Sequence, residues 1–532
     1  MDLRYCCRMS QSSTAIRAMF RKKLDKKLGY ASDENLLEFI WAVNTLQSGN
    51  EAQAAAYFDH GYPREAATSD MTSKLAIYKW ELETLANEVL VVPKSREFES
   101  GARILNTRMF ETARQMVRIL RQLENAESAR ALKDNRILRE MVRIANRQFD
   151  WQRGYNNVVQ FYRNAFVYGQ GACADYFEER HGITLNDFSF VGFALFSQFA
   201  LKPVLASDID GTPIGLDRKR LEIALGVLAR PIDEMKRLAR TERHGIYETA
   251  YRPSVLRQHP CIAFGAAGER IRTPLPQLII DRVTSGVFYD VIGGSGAVRA
   301  DYGRRFEEYA ISYLRAQLPE ADWQPEHKYR LGKDTVDSPD ILLMDKGAVS
   351  VAIECKATRM GYGARFGSVE IDERGFEDLI KAVFQLWRFF SHCRRCLSGV
   401  AVGADAVGAV LTLDGWLTMA NLLEAEVLEA AEEMAARRDP QILEEDRRPI
   451  AFFPVTDMEA TLMHATPASF VSAIRRRTDL DRRGYMLVTV HDEFEEPGQP
   501  EKPFPFGDDV GRLLPWWDVV DEEKRKRAGR PA

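Results

Sequence analysis

Residues 338–356 read SPDILLMDKGAVSVAIECK, and this stretch decides how the second half of the chain folds. Two apolar runs flank the turn Asp345-Lys346-Gly347, which is the pattern of a β-hairpin. Successive side chains of a strand point to opposite faces of the sheet. The apolar residues Val351, Ile353 and Cys355 are therefore predicted to share one face and to point into the core.

The charged residues of the same stretch are predicted to meet at one end of the hairpin. Glu354 and Lys356 share the face opposite the apolar residues. Asp340 stands where the first strand opens, so the hairpin brings its carboxylate near Glu354. Two carboxylates and an ammonium group are costly to bring together out of water unless a cation joins the carboxylates. This arrangement predicts a divalent-metal site, and the alternative is an ordinary hairpin with surface charges.

The spacing of these residues resembles the PD-(D/E)xK signature of the restriction-endonuclease-like nucleases. Pro339-Asp340 corresponds to PD, and Glu354-Cys355-Lys356 corresponds to (D/E)xK. The resemblance covers residues 300–415 well, residues 415–495 loosely and residues 1–250 not at all. It implies a nuclease that hydrolyses phosphodiester bonds of DNA and uses Mg²⁺, for which Mn²⁺ would substitute.

The resemblance also implies a role for each residue of the motif. Asp340, Glu354 and the backbone carbonyl of Cys355 are expected to bind the metal ion, since Mg²⁺ prefers oxygen ligands. Lys356 is expected to contact the scissile phosphate and the attacking water, where it would stabilise developing negative charge. Removing Lys356 is predicted to impair the chemical step far more than binding.

A helix after Gly303 is predicted to bring a further carboxylate to the hairpin. One face of this helix forms a largely apolar stripe at helical spacing, which consists of Phe306, Tyr309, Ala310, Tyr313, Leu314 and Gln317. Glu307 lies on the shoulder of this stripe, whereas Glu308 points nearly opposite it. We therefore expect Glu307 to be the catalytic and metal-binding acid, and many members of the resembled family place a helical Glu after a similar Gly-x-x-Phe start. A solvated helix acid is the alternative.

A second helix is predicted downstream, after a glycine-containing loop at 361–367 that reads as mobile. Its buried side consists of Phe376, Leu379, Ile380, Val383, Phe384, Trp387 and Phe390. Lys381, Gln385 and Arg388 lie on another face. Several branches of the resembled family use a Gln here, often as Q-x-x-x-Y, so Gln385 is a candidate catalytic residue. Lys381 and Arg388 are candidate nucleic-acid contacts. Phe389 replaces the Tyr, and a plain polar helix face is the alternative.

The N-terminal part of the chain is basic and has a mostly helical pattern. Residues 1–300 carry a net charge of +7 and residues 301–532 a net charge of −11. Most of the positive excess lies in residues 101–147, where arginines recur at helical spacing. The candidate contacts to nucleic-acid phosphates are Arg114, Arg118, Arg121, Arg136, Arg139 and Arg143. Solvated helices with mixed charges are the alternative.

These patterns predict an α+β protein, in which a helical N-terminal region precedes a mixed α/β restriction-endonuclease-like core. The predicted segments are a disordered extension at 1–30, a helical recognition or regulatory domain at 31–250, a connector at 251–297, a nuclease domain at 298–495 and a partly disordered extension at 496–532. Within the nuclease domain, residues 487–490 are predicted to add an edge strand.

The composition and the remaining motifs limit the class of protein. No run of about 18 apolar residues predicts a membrane span. Seven unevenly spaced cysteines indicate reduced thiols and a cytoplasmic location. Cys393-x-x-Cys396 beside His392 lacks the second ligand pair of a zinc site, so a buried or loop thiol pair is expected. No motif for a small-molecule cofactor is evident.

The sequence thus favours an endodeoxyribonuclease with DNA as partner, and a homo-oligomer is compatible with it. A large helical module joined to such a nuclease is typical of prokaryotic restriction or anti-phage defence, which is an association rather than a physical argument. Three alternatives stay open. The first is a nuclease for repair, junction resolution or RNA cleavage, the second is a nucleic-acid-binding protein whose nuclease fold is structural, and the third is a sensor whose assembly gates the nuclease.

Overall fold

The computed structural model describes residues 3–133, 137–155, 157–243, 248–359, 373–415, 421–494 and 500–528. The chain is an α+β protein in which helices dominate the first three hundred residues and the main sheet follows them. None of the described helices is both long and apolar enough to cross a membrane.

The helices before the main sheet are Leu3–Leu28, Asp33–Leu46, Glu51–Ala54, Lys79–Val91, Arg96–Glu99, Phe110–Lys133, Ile137–Arg153, Val158–Tyr168, Gly171–His181, Leu185–Phe199, Arg218–Leu228, Ile232–Arg243, Gln277–Val283 and Phe288–Val291. Those around and after it are Gly296–Gln317, Glu373–Arg394, Asn421–Arg438, Val455–Leu462, Pro467–Arg477, Leu487–Asp492, Val510–Leu513 and Pro515–Ala528. Short 3-10 turns are Ala55–Tyr57, Arg64–Ala66, Thr212–Ile214, Thr249–Tyr251, Val255–Arg257, Ser285–Val287, Glu444–Asp446 and Gly507–Asp509.

The strands form three sheets. They are β1 Val204–Ala206, β2 Ala229–Pro231, β3 Cys261–Phe264, β4 Arg270–Arg272, β5 Asp322–Pro325, β6 Lys328–Leu331, β7 Asp334–Asp337, β8 Ile341–Asp345, β9 Ala348–Lys356, β10 Ala401–Thr412 and β11 Ile450–Pro454. The orders are β1-β4-β3-β2 in the helical part, β11-β10-β9-β8-β5 in the main sheet, and the separate hairpin β6-β7.

The predicted hairpin is the centre of the main sheet. Strands β8 and β9 pair antiparallel, with Ile341 opposite Ile353. Their turn places Lys346 at φ 49° and Gly347 at φ 79°, the left-handed conformations that a tight two-residue hairpin turn requires. Strand β9 also pairs parallel with β10, and β10 with β11, so β9 has partners on both sides.

Both faces of the main sheet are covered, by two separate hydrophobic clusters. Val351, Ile353 and Cys355 belong to one cluster, which extends through the helical part of the chain. Val349 and Ala352 belong to the other, which lies under the helices Glu373–Arg394 and Asn421–Arg438. The predicted alternation of β9 is therefore correct, but its second face is also buried, because a helix covers it.

The first thirty residues differ from the disordered extension expected from their basic composition. Residues Leu3–Leu28 form a helix that packs against the helix Phe110–Lys133. Leu24 and Leu28 are fully buried in the larger cluster, while the lysines between them lie on the outer faces. A basic helix with one apolar stripe gains enough burial to fold once a neighbour covers that stripe.

The expected connector and the C-terminal extension are also parts of the core. Ile262 and Ile279 are fully buried, so residues 251–297 do not form a spacer. Phe506 stacks on Tyr162 with ring centroids 5.0 Å apart, and the buried Trp516 stacks on Phe193. The proline-rich composition of the C-terminal extension is typical of a linker, but its apolar residues pack against the N-terminal helices.

The predicted edge strand at 487–490 is wrong. Residues Leu487–Asp492 form a short helix, in which Leu487 and Val490 are fully buried. Four apolar and β-branched residues do not distinguish a strand from a short buried helix, and here contacts with the helix Pro467–Arg477 decide in favour of the helix.

Candidate metal centre and active site

The site lies where strands β8 and β9 separate. Asp340 directly precedes β8, and its Oδ2 accepts a 2.6 Å hydrogen bond from the backbone N–H of Cys355. The backbone carbonyl of Asp340 accepts a 2.9 Å hydrogen bond from the N–H of Glu326. Asp340 is therefore held between the ends of β9 and β5, and its carboxylate is fixed beside the Glu-Cys-Lys segment.

Pro339 explains why the carbonyl of Cys355 is a candidate ligand. Ile341 pairs with Ile353, so Pro339 falls opposite Cys355 in the continued register. In an antiparallel ladder alternate pairs exchange two N–H···O bonds, but here the N–H of Cys355 donates to Oδ2 of Asp340 instead. Proline has no N–H to donate. Pro339 therefore cannot donate a backbone hydrogen bond to the carbonyl of Cys355. This carbonyl lies at the same edge of the sheet as the Asp340 carboxylate.

Three carboxylates meet at this edge. Glu307, Glu326 and Asp340 each offer an oxygen, and these atoms all lie within 4.8 Å of one another. Glu307 comes from the helix Gly296–Gln317, Glu326 from the residue after β5 and Asp340 from the start of β8. Glu326 was missed in the sequence because only the pairing of β5 with β8, which sets Pro325 opposite Ile341, brings it beside Asp340.

The carboxylates repel one another in the absence of a cation. Burial and the charge of Glu354 raise the pKa of Glu307 to about 7. The same two causes raise the pKa of Asp340 well above its ordinary value, and Lys356 offsets them only in part. Burial and the neighbouring Asp337 raise the pKa of Glu326. A divalent cation would remove this repulsion.

The donor set fits a hard divalent cation. The three clustered side chains and the Cys355 carbonyl are all oxygen donors, which is the ligand type of Mg²⁺, and Mg²⁺ retains several waters rather than requiring a complete protein cage. Among the residues that the structure describes, this is the one group of three acidic, His or Cys side chains close enough to share an ion.

Lys356 and Glu354 form a buried pair next to the carboxylates. The Nζ of Lys356 donates a 2.8 Å hydrogen bond to Oε1 of Glu354, whose side chain is 5% exposed. Burial lowers the pKa of Lys356, but the charges of Glu354 and Asp340 outweigh it and raise that pKa. Lys356 therefore keeps its positive charge. Glu354, predicted as a metal ligand, lies outside the group of three and reaches Lys356 instead.

Gln385, a candidate from the family resemblance, lies on the helix Glu373–Arg394 and reaches Lys356. Its Oε1 lies 3.4 Å from the Nζ of Lys356 and accepts a hydrogen bond from it. Lys356 thus has two side-chain acceptors, Glu354 and Gln385, which fix the direction of its ammonium group. Phe389, which occupies the place of the family's Tyr, is buried.

Glu308 behaves as helical geometry predicted for the far side of the stripe. Its side chain is 46% exposed and pairs with Arg304 one turn earlier. Neighbouring acids on one helix thus have different surroundings: Glu307 turns toward the sheet edge, and Glu308 turns to solvent. This makes Glu308 a matched control for Glu307.

Three of the six predicted phosphate-contacting arginines, Arg114, Arg121 and Arg143, pair with carboxylates. Arg121 makes a bidentate ion pair with the buried Glu81, at 2.6 and 2.9 Å. Arg143 pairs with Glu140 at 3.2 Å and with Glu248 at 2.5 Å. Arg121 joins its helix to the helix Lys79–Val91, and Arg143 joins its helix to the residue before the turn Thr249–Tyr251, so both charges are already paired within the chain.

The other predicted phosphate-contacting arginines lie at the surface or outside the described residues. Arg114 and Arg118 are exposed, and Arg114 pairs with Glu111 one turn earlier. Arg139 lies on the helix Ile137–Arg153, and Arg136 lies outside the described residues. The predicted loop at 361–367 also lies outside them.

On the Gln385 helix, Lys381 and Arg388 follow the same face as Gln385. Lys381 is 44% exposed and pairs with Glu377 at 3.3 Å. The guanidinium of Arg388 lies 5.6 Å from the ring centroid of Phe384. Both residues remain candidates for contact with a substrate that reaches Gln385.

The cysteine pair does not build a metal site in the described part of the chain. Cys393 is buried, and its Sγ accepts a hydrogen bond from Ser398, while Cys396 is exposed. His392 is buried, with its Nδ1 2.8 Å from the hydroxyl of Tyr329. These side chains have separate local partners.

No protein-family model matches the chain, and neither the curated proteins nor the solved structures contain a match to it.

Proposed function

We propose that this protein is a metal-dependent nuclease that hydrolyses phosphodiester bonds of DNA, with Mg²⁺ as its ion. The observation that carries the proposal is the meeting of Asp340, Glu354 and Lys356 with Glu307 where β8 and β9 separate. The likeness of Pro339-Asp340 and Glu354-Cys355-Lys356 to the PD-(D/E)xK signature supports the same conclusion.

The acidic residues would bind the ion. Asp340, Glu307 and Glu326 supply three close carboxylates, and the Cys355 carbonyl is a fourth oxygen at the same edge. When bound, Mg²⁺ offsets negative charge on the phosphodiester, which is the main obstacle to attack on it. Glu354 adds negative charge to the site and directs Lys356.

Lys356 would stabilise the charge that develops on the phosphate. Its ammonium group is held by Glu354 and Gln385, so little reorganisation is needed when a phosphate oxygen approaches. Its raised pKa keeps the three N–H donors in place at neutral pH. Gln385 would keep Nζ directed toward the substrate by accepting one of these hydrogens.

The first test is cleavage of supercoiled and linear plasmid in Mg²⁺, Mn²⁺ or EDTA by the wild type and by Asp340→Asn and Lys356→Ala. Glu308→Gln is the control, because Glu308 lies on the same helix as Glu307 but faces solvent. Metal-dependent cleavage that both site variants lose and the control keeps would support the proposal. Full cleavage by Asp340→Asn would overturn it.

An inactive wild type that still binds DNA would favour a gated nuclease or a binding protein whose nuclease fold is structural. The same assay on single- and double-stranded RNA would distinguish an RNA-directed nuclease. Size-exclusion chromatography with and without DNA would test whether assembly accompanies binding.

We also propose a cytoplasmic location and a role in prokaryotic restriction or anti-phage defence. The five cysteines whose side chains are described are all free thiols, which is typical of a reducing compartment. The defence role is an association from architecture, in which a large helical part accompanies one nuclease-like sheet.

A further inference from the structure

A cavity of about 450 Å³ lies in the helical part of the chain and is lined by five arginines. They are Arg180, Arg230, Arg257, Arg282 and Arg359. Of the described residues that line the same space, two are carboxylates, Asp281 and Asp290. Cavities of roughly 300–1,000 Å³ are the size range of small-molecule sites. Three of these arginines are paired with carboxylates, so the positive charge that an anion would meet is that of Arg180 and Arg230.

Two of the arginines are fixed by buried carboxylates. Arg282 makes a bidentate pair with Asp290 at 2.7 and 3.0 Å. Arg257 makes a bidentate pair with Glu83 at 2.7 and 2.9 Å. Arg282 also donates through Nε to the carbonyl of Gln258 at 3.1 Å, and Nη1 of Arg257 lies 3.7 Å from Asp281. These contacts hold both side chains rigidly in the wall of the cavity.

The two less buried arginines of the cavity bond mainly to backbone. Arg180 donates to the carbonyl of Asp290 at 2.6 Å and, among the described residues, has no ion pair with a carboxylate. Arg230 donates to the carbonyls of Gly226 and Ala229, and its Nε is 3.5 Å from Glu234. Their positive charge is thus only weakly neutralised. The positive charge around the cavity also acts on His259. Burial lowers the pKa of His259, and the nearby Arg230 and Arg282 lower it further.

We propose that this cavity binds a small phosphate-bearing molecule of nucleotide size. Planar guanidinium groups match phosphate oxygens in pairs, and several of them around one space suit a ligand with more than one phosphate oxygen. Val227 and Tyr289 also line the cavity and offer apolar surface to a base. Arg180, Val227 and Arg230 belong to residues 1–250, which the nuclease resemblance does not cover.

The cavity adjoins the strand that carries the candidate catalytic lysine. Arg359 follows Lys356 by three residues, pairs with Asp414 just after β10 at 3.3 Å, and donates to the carbonyl of Ser285. A ligand that contacts Arg359 would therefore bias the position of the segment after β9. Control of cleavage by the ligand depends on the proposed nuclease function, but binding itself does not.

The test is titration calorimetry and thermal unfolding of the full chain with sodium pyrophosphate, ADP and the dinucleotide pApA. EDTA is present and ionic strength is held constant, so the metal centre and general salt effects do not contribute. We expect saturable binding of ADP or pApA that is tighter than binding of pyrophosphate. Failure of all three probes to bind at millimolar concentration overturns the proposal.

Arg180→Gln and Arg230→Gln identify the site. Each is expected to weaken binding about tenfold, as loss of a charge-assisted hydrogen bond would. Arg237→Gln is the control, because Arg237 is 70% exposed and does not line the cavity. The unliganded melting temperatures show whether each variant is folded. Equal affinity in the wild type and both cavity variants would also overturn the proposal, whatever the outcome of the cleavage assay.

Discussion

Replacement of Glu307 by Gln tests the electrostatics of the site without requiring any substrate. Burial and the charge of Glu354 raise the pKa of Glu307 from 4.5 to about 7. A carboxyl whose pKa is higher in the folded than in the unfolded protein contributes stability below the unfolded value, and this stability is lost as pH rises through the folded value. The metal-free wild type is therefore expected to lose stability between about pH 4.5 and pH 7.

The expected loss of stability follows from the rise in the pKa of Glu307. One pKa unit corresponds to about 1.4 kcal/mol, so the rise from 4.5 to about 7 corresponds to about 3 kcal/mol. Glu307 is only partly buried, and solvent screening reduces this to on the order of 1–2 kcal/mol. At about 2.1 cal/mol/K per residue, unfolding of this chain has an entropy of about 1.1 kcal/mol/K. Glu307→Gln should therefore raise the Tm by about 1–2 °C at about pH 8 in EDTA.

The assay is differential scanning fluorimetry of the wild type, Glu307→Gln and Glu308→Gln in EDTA at about pH 5 and about pH 8, repeated with excess Mg²⁺. The rise in Tm should occur at the higher pH only, and Glu308→Gln should match the wild type. Addition of Mg²⁺ should stabilise the wild type more than Glu307→Gln, because the variant lacks one ligand charge. A Glu307→Gln protein that is equally or less stable than the wild type at the higher pH would refute the reasoning.

Three further changes probe the other parts of the molecule. Lys356→Ala should slow single-turnover cleavage by about 10²–10³ while DNA affinity, measured by fluorescence anisotropy, changes little; equal losses in both would contradict its role. Arg121→Ala should reduce the free energy of unfolding by about 1–3 kcal/mol because it leaves the buried Glu81 unpaired. Weaker DNA binding with unchanged urea stability would instead make Arg121 a phosphate contact. Leu24→Ala should cost about 2–5 kcal/mol in urea denaturation, since Leu24 is fully buried, whereas a disordered N-terminus would show no change.

The candidate site was predictable where the chemistry is local to one element. The hairpin follows from alternation and a turn that needs two left-handed residues, and both occur at Lys346 and Gly347. The separate surroundings of Glu307 and Glu308 follow from the angle between successive residues of a helix. Gln385 was a candidate because of the family resemblance, and its side chain lies within hydrogen-bond distance of Lys356.

Features that depend on distant partners were not predictable. Glu326 joins the carboxylates only because β5 pairs with β8, and its own surroundings in the sequence carry no signal for this. The N-terminal helix has a basic composition that also suits a disordered tail, and only a covering neighbour makes its leucines a core. The arginines at helical spacing were expected to bind phosphate, but Arg121 pairs with Glu81 of another helix and Arg143 pairs with Glu248, about a hundred residues further along the chain.

The sequence by itself determined the α+β class, the hairpin, and the directions in which Asp340, Glu307 and Lys356 point. These follow from backbone geometry, which repeats within a few residues whatever surrounds the element. Only the tertiary structure decided which charges meet: Glu326 with Asp340, Arg121 with Glu81, and five arginines around one cavity. The partner of a buried charge is set by which elements pack together, because burial makes an unpaired charge too unfavourable to persist and packing joins residues far apart in the chain.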